Sequence, residues 1–260
     1  MANPASFGTI PADFQNRFGG FRMITVFSGS DRTRHAELCR QMYRLRAQLF
    51  LNRRKWSVKV RDGEEIDCFD LQDPVYVCVT DPDQRLIGSL RLLPTMGPHM
   101  LSDVFPEVMG DARPIRRADT WESSRFCVDT QAARAFHPDG INEVTRALLG
   151  GLFGSARALG LQSIVSVYDI FVERILQRAG CRFTRLGPVH AYDGLNTVAG
   201  HFPVEMNLPS RFVAPGAVKS TLTESDAADG APIAGTLSAI LPARSLSVAA
   251  ATAAFPQGRA

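Results

Sequence analysis

The chain has 260 residues, 45% hydrophobic and 21% charged, with a net charge of +3. That suits one large domain or one domain with extensions, with ample material for a core. No uninterrupted apolar run approaches the roughly 20 residues that cross a bilayer, so neither a membrane span nor a membrane partner is expected. The opening "MANPASFGTIPADFQNRFGG" has no basic region followed by an apolar stretch, so no secretory signal is expected. Five cysteines, at 39, 68, 78, 127 and 181, show no CxxC spacing. Reduced thiols in a cytoplasm are expected rather than a disulfide frame, and no metal site.

The charge is unevenly spread. Between Arg32 and Arg61 there are ten Lys or Arg against one acidic residue, Glu37. The segment reads either as a solvated helix face plus loop or as a docking surface for an acidic partner. Nucleic acid, an acidic carrier protein and a coenzyme phosphate all fit that description.

In chain order, residues 1–22 have no clear period and read as an extension. "MITVF" (23–27) predicts a first strand. In "AELCRQMYRLRAQLF" (36–50) Leu38, Met42, Leu45 and Leu49 fall at helical spacing. A loop follows, then two strands, "VYVCVTD" (75–81) and "RLIGSLRLLPT" (85–95), joined by the turn signal Asp81-Pro82-Asp83. "GPHMLSDVFPEV" predicts a connector with a short helical turn, and "TWESSRFCVD" (120–129) the next strand. A helix over 141–160 ends at Gly160. "SIVSVYD" (163–169) predicts a buried strand, and "FVERILQRAG" (171–180) a second glycine-stopped helix. This alternation predicts α/β layering on a central sheet over 23–210. From Arg211 the composition turns to Ala, Ser, Thr, Pro and Gly, so 211–260 reads as a flexible low-complexity tail without chemistry.

Three segments gather polar residues in strand or loop settings. The first holds Arg46, Phe50, Trp56, Asp67 and Asp70; the second is Arg91 inside "LIGSLRLLP"; the third is Glu122, Ser124 and Arg125. Arg46 reads alone as an exposed helix residue, and the aspartates as turn caps. Arg91 in a sheet interior needs a partner. Strand alternation puts Glu122 and Ser124 on one face and Arg125 on the other, and a self-satisfied buried Glu–Arg network is one reading of that strand.

Taken in order, Arg46-x3-Phe50-x5-Trp56-x10-Asp67-x2-Asp70, then Arg91-Leu92-Leu93-Pro94-Thr95, then Trp121-Glu122-x-Ser124-Arg125-Phe126, the set resembles the acyl-homoserine lactone synthases, the autoinducer synthase family. "MLSDVFPE", "ERILQRAG" and "NTVAGHFPV" resemble the same family, so the likeness runs over about 23 to 207. The resemblance implies a fold related to the GNAT acyltransferases, a three-layer sandwich around a mixed twisted sheet. It implies two substrates, S-adenosylmethionine and an acyl thioester on acyl carrier protein or coenzyme A, and no further cofactor.

On that reading Glu122 is the base that deprotonates the α-amine, because an apolar strand desolvates a carboxylate and raises its pKa. Arg91 and Ser124 complete the catalytic group. Asp67 and Asp70 suit the cationic groups of S-adenosylmethionine, and Arg46, Arg91 or Arg125 its carboxylate. Phe50, Trp56 and Phe126 offer aromatic surface to it. Leu152, Val165, Ser166 and Val167 are candidates for the acyl pocket, with Ser166 near where the family senses the third acyl carbon. Arg174 and Arg178 are candidate carrier contacts.

Many GNAT enzymes cradle the coenzyme A pyrophosphate in a glycine-rich loop. "DTQAARAFHPDGINEV" has no such glycine pair, which favours a carrier-protein donor. The alternative function is a generic coenzyme A-dependent N-acyltransferase of that fold. A thiol enzyme built on Cys127 fits less well, since a small Cys beside Val128 is ordinarily core. A nucleic-acid binder would lack a helix-turn-helix or aromatic platform. Residues 1–22 and 216–260 are expected to be dispensable for turnover.

Overall fold

The computed structural model describes residues 23–53, 58–111, 113–136 and 140–212. The expected extension 1–22, Trp56 and the chain beyond 212 lie outside the described residues.

The strands follow in chain order: β1 Met23–Ser28, a short hairpin of β2 Val60–Arg61 and β3 Glu64–Glu65, β4 Val75–Thr80, β5 Leu86–Pro94, β6 Thr120–Val128, β7 Ser163–Asp169, β8 Thr184–Arg185, β9 His190–Tyr192 and β10 Leu195–Pro203. The helices are α1 Ala36–Ala47, α2 Met100–Asp103, α3 Thr130–Phe136, α4 Gly140–Ala158 and α5 Ile170–Arg178. The main sheet runs β1-β4-β5-β6-β7-β10-β8, with β9 against β10. The β6–β7 pair is parallel, the other main-sheet pairings antiparallel. This is the mixed three-layer sandwich expected from the sequence.

The two faces separate cleanly by strand alternation. Ile24, Val77, Val79, Leu90, Leu92, Ile164, Val198 and Phe202 form one core with α3, α4 and α5. On the opposite face Tyr76 and Cys78 pack under α1, while Leu93, Val165 and Ala199 pack under α2 and the 68–71 turn. Helix α4 lies very close to the sheet: a side-chain carbon at Gly151 would sit 2.6 Å from Val77. Gly151, which weakens the helix locally relative to Ala, is therefore a condition for its approach. Gly160, at φ +69°, and Gly180, at φ +83°, follow α4 and α5 in the left-handed conformation that stops a helix.

Three local departures from the sequence expectation matter. Helix α1 does not run regularly to residue 50; from Gln48 it widens into a π-type turn through Arg53, which carries Phe50. Helix α3 was not expected. Its start is capped by Asp129, whose Oδ1 accepts from the N–H groups of Gln131 (3.0 Å) and Ala132 (2.9 Å). It occupies much of 129–144, the stretch in which a pyrophosphate loop would fall. Finally, the packed chain passes the expected boundary at 210: Phe212 is buried and stacks on Phe153 of α4 at 5.6 Å between ring centres.

A Phe212→Ala substitution should therefore cost about 3–5 kcal/mol, the range for truncating a buried aromatic, read from the urea unfolding midpoint. A chain ended after Pro209 should lose a similar amount.

Candidate active site

Strand β6 carries most of the chemistry, and its geometry departs from a regular strand at one point. Ser89 of β5 pairs with Cys127 and Arg91 pairs with Ser124, so two steps on β5 oppose three on β6. The extra residue makes a β-bulge, and Arg125 within it has φ +54°. This overturns the alternation argument. Glu122 and Ser124 do share a face, but the bulge brings the Arg125 guanidinium to that same side.

There three guanidinium groups meet three carboxylates. Arg46, on α1, donates to Asp70 through both Nη atoms (2.9 and 2.9 Å) and to Glu65 through Nε (2.5 Å). Arg91, on β5, donates to Asp67 (2.5 and 3.0 Å), to Asp70 (2.9 Å) and to Ser124 Oγ (3.1 Å). Arg125 reaches Glu65 at 2.8 Å and Asp67 at 2.7 Å. Tyr76 donates its hydroxyl to Asp70 at 2.9 Å. Arg46, Arg91 and Asp70 are fully buried, so the formal charges of the six groups must cancel among themselves. Burial alone would raise the Asp70 carboxyl; Arg91 and Arg46 instead hold it well below the ordinary range.

Local structure places the carboxylates. Asp67 caps the turn Cys68–Leu71, accepting from the N–H groups of Phe69 and Asp70, while Asp70 accepts from the Asp67 N–H. One turn thus aims two carboxylates at three arginines. Aromatic faces border the guanidinium groups: Arg46 lies 5.3 Å from the Tyr43 ring centre, Arg91 5.6 Å from Phe69 and Arg125 5.1 Å from Phe50.

Glu122 stands beside this network, fully buried. Its two oxygens accept from the N–H groups of Met100 (2.8 Å) and Leu101 (2.6 Å), at the start of α2. Burial pushes its carboxyl up to about 7, against the pull of those two hydrogen bonds and of Arg91 and Arg125. A carboxylate has about four lone-pair sites, so two bonds leave acceptor capacity for a proton.

The pairing of β6 with β7 ends at Ser123–Ser166, although both strands continue. Beyond that point a cavity passes between them, lined on one side by Phe50, Met100, Glu122, Ser124 and Arg125 and on the other by Leu149, Leu152, Phe153, Ile164, Tyr168 and Phe202. Ser166 stands at the fork, donating to the Ser123 carbonyl at 2.7 Å. One opening through the sheet therefore joins a charged compartment to an apolar one.

The expected site residues fall into place unevenly. Glu122, Ser124, Arg125, Phe50, Leu152, Ser166 and Val167 line the cavity. Arg46, Arg91, Asp67 and Asp70 bind one another behind it. Phe126 lines the cavity but packs with the core on the α4 side of the sheet, away from the arginines. Val165 faces the other way from Ser166, packed with Phe69, Leu93 and Leu101, and does not line the cavity. Arg174 and Arg178 are exposed on α5. Cys127 is buried in the α1-side core. Glu65, Tyr76, Met100 and Tyr168 were not singled out from sequence. Glu65 had a usable signal: three arginines against two aspartates leave one positive charge to be balanced.

Arg46→Met would leave buried Glu65 and Asp70 each short of one cationic partner, with a net negative charge inside the cluster, and should cost about 3–5 kcal/mol in chemical denaturation. Arg117→Ala, which breaks only a surface pair with Asp119 at 2.8 Å, should stay within about 1 kcal/mol.

The family model for autoinducer synthase matches residues 30–211. An acyl-homoserine-lactone synthase of Rhizobium radiobacter is 36% identical over 195 residues, 75% of this chain and 92% of the relative. One from Pseudomonas aeruginosa is 30% identical over 184 residues, 70% of this chain and 89% of the relative. Among solved structures, the AHL synthase LasI superposes with a TM-score of 0.62 at 29% identity, over 72% of this chain and 91% of that one. The CoA-dependent acyl-homoserine lactone synthase BjaI, solved with SAM and isopentyl-CoA, superposes at 0.66 with 26% identity, over 76% and 92%. The chain belongs to the autoinducer synthase family.

Proposed function

We propose that this chain is an acyl-homoserine lactone synthase. It transfers an acyl group from a thioester to the α-amine of S-adenosylmethionine; the methionine carboxylate then attacks the γ-carbon, forming the lactone and expelling methylthioadenosine. The observation that carries the reading is Glu122: a buried carboxylate of raised pKa, lining a cavity with charged groups on one side and an apolar chamber on the other. Family membership is consistent with it.

In this mechanism Glu122 accepts a proton from the α-ammonium, freeing the nitrogen lone pair to attack the thioester carbon. The carbon–sulfur bond breaks and the thiol leaves. The charged network supplies position. Asp67 and Arg125 keep 14% and 8% of their side-chain surface exposed, against 1% or less for Arg46, Arg91 and Asp70. They are the pair suited to meet the substrate's ammonium and carboxylate, with Phe50 beside them; Arg46, Arg91 and Asp70 hold that pair in place. Lactone closure then needs mainly proximity, since a sulfonium is already a good leaving group. S-adenosylmethionine acts as co-substrate, and no other cofactor takes part.

The donor is an acyl thioester on coenzyme A or on a carrier protein. Helix α5 presents Phe171, Arg174, Ile175 and Arg178 on one exposed face, with Arg174 6.0 Å from the Phe171 ring centre. Alternating cationic and apolar residues at i, i+3, i+4 and i+7 suit an acidic carrier helix. The reaction belongs in the cytoplasm, where both co-substrates are made.

Four outcomes test these statements. Glu122→Gln should lower kcat by about 10²- to 10⁴-fold, the usual value of a positioned base, with methylthioadenosine release as the readout. A purely structural Glu122, serving only to pin α2, would instead lower the melting temperature and leave the rate per folded molecule unchanged. The wild-type rate should climb through pH 7 as Glu122 ionises. Its effect on stability has the opposite sense. From the ordinary carboxyl value of about 4.3 up to about 7, the unfolded chain has lost a proton that the folded protein keeps. Stability therefore falls as pH rises across that window, and Glu122→Gln should remove that slope. Arg174→Glu with Arg178→Glu should raise KM tenfold or more for a carrier-protein thioester and leave KM for the coenzyme A thioester within about twofold.

A further inference from the structure

Glu122 is held by an element that cannot hold itself. Its oxygens accept from the Met100 and Leu101 N–H groups, and these open α2, a helix of four residues. A single turn fixes several backbone dihedrals for about one hydrogen bond, so in isolation it does not persist in water. The residue before it, His99, gives the turn no side-chain cap.

What fastens the turn lies outside the cavity. The Asp103 carboxylate, at the far end of α2, accepts from the His99 N–H at 2.7 Å, and the Asp103 N–H donates to the His99 carbonyl at 3.1 Å. The same carboxylate accepts from Arg116 at 2.6 Å. Arg116 also donates to the carbonyls of Thr95 (3.4 Å) and Gly97 (3.3 Å), just past β5, and touches the fully buried ring of His99. The loop that carries Arg116 is itself anchored. Thr95 Oγ1 donates to the Thr120 carbonyl at 2.6 Å and accepts from the Arg117 N–H at 3.2 Å. One guanidinium and one carboxylate thus clip α2 to the end of β5 and to the loop before β6. Neither residue lines the cavity. Their side chains are 35% and 37% exposed, so the pair adds little to stability by itself and losing one partner strands no buried charge.

The charges acting on Glu122 are Arg91 on β5 and Arg125 on β6, backed by Arg46 on α1 and the carboxylates of Glu65, Asp67 and Asp70. On β7, Asp169 is occupied at the start of α5, and α4 turns Leu149, Leu152 and Phe153 to the cavity. From α2 Glu122 receives two N–H groups, and hydrogen bonds of that kind favour the ionised carboxylate. We propose that Asp103 and Arg116 are positioning residues for acyl transfer: their ion pair fixes the α2 turn so that the Met100 and Leu101 N–H groups stay on the Glu122 carboxylate. This rests on the reading of Glu122 as the base and adds what keeps that base in place. Without the pair the turn drifts, the two hydrogen bonds weaken, and the carboxyl keeps its proton to higher pH.

The test uses the full chain with Asp103→Ala, Arg116→Ala and the double variant. Each single change should lower kcat at pH 7 by about five- to tenfold and move the midpoint of the rate's pH profile up by about one pH unit, as one weakened hydrogen bond to a charged group would. Much of the lost rate should return at higher pH, and KM for S-adenosylmethionine should stay within about twofold. The double variant should be no slower than the slower single, because one device is lost once. Variants that melt lower but keep the wild-type midpoint and rate per folded molecule would overturn the proposal, as would losses that add. The carboxyl carbon-13 resonance of Glu122, identified by its absence in Glu122→Gln, gives a readout without turnover. It should titrate at about 7 in the wild type and higher in both single variants. If no methylthioadenosine forms from any donor, the reaction assignment falls on its own. The resonance still decides the pair: a midpoint that moves up supports the proposal, and one that stays overturns it.

Discussion

The constraint on which the rest depends is the neutralisation of three guanidinium groups inside the fold. Arg46 comes from α1, Arg91 from β5 and Arg125 from β6, and the carboxylates come from one short stretch, Glu65 to Asp70. None of the fully buried members is tolerable without its partners. Helix, turn and two strands are therefore tied at a point where apolar packing alone would leave them free to slide. The arrangement contributes less to net stability than to uniqueness. Its geometry admits one way of seating the 65–70 segment against the sheet.

A second constraint is the interruption of the sheet. Parallel pairing between β6 and β7 lasts only from Thr120–Ser163 to Ser123–Ser166. Past that fork each strand keeps its outer neighbour but loses the inner one. The bulge at Arg125 belongs to the same region: it adds one residue to β6 just where the strand turns from its partner, and swings a cation toward the carboxylates. Strained backbone, unpaired strand edges and perturbed carboxyl thus meet within a few residues of Glu122, a pattern common where a fold does chemistry.

Much of this was legible in the sequence, for identifiable reasons. The strands 75–80 and 86–94 and the helices around 141–158 and 170–178 follow from hydrophobic period and glycine stops, which are local signals. The motif residues pointed to the correct region because their types demand partners once buried. What escaped depends on tertiary context. Alternation placed Arg125 on the wrong face because a bulge has no signature in single-sequence periodicity. Val165 and Ser166 are one residue apart and look alike as pocket candidates, yet the pleat sends them to opposite faces. Phe212 sits where composition already reads as tail, and only the Phe153 ring beneath it shows that the core continues. Arg46, expected to meet ligand or solvent, is occupied by its own protein.

The opening through the sheet has a consequence for how such a molecule changes over time. On the proposed acyl-transfer reading, the bond-making groups occupy one face, and the chamber for the acyl group is built from α4, β7 and β10 on the other. A substitution at Leu149, Leu152 or Tyr168 resizes or repolarises that chamber without disturbing any ion pair across the sheet. Two properties that are usually entangled in a single pocket, the reaction and the identity of the product, are here separable. A lineage carrying this architecture can alter what it says while keeping intact the machinery by which it speaks.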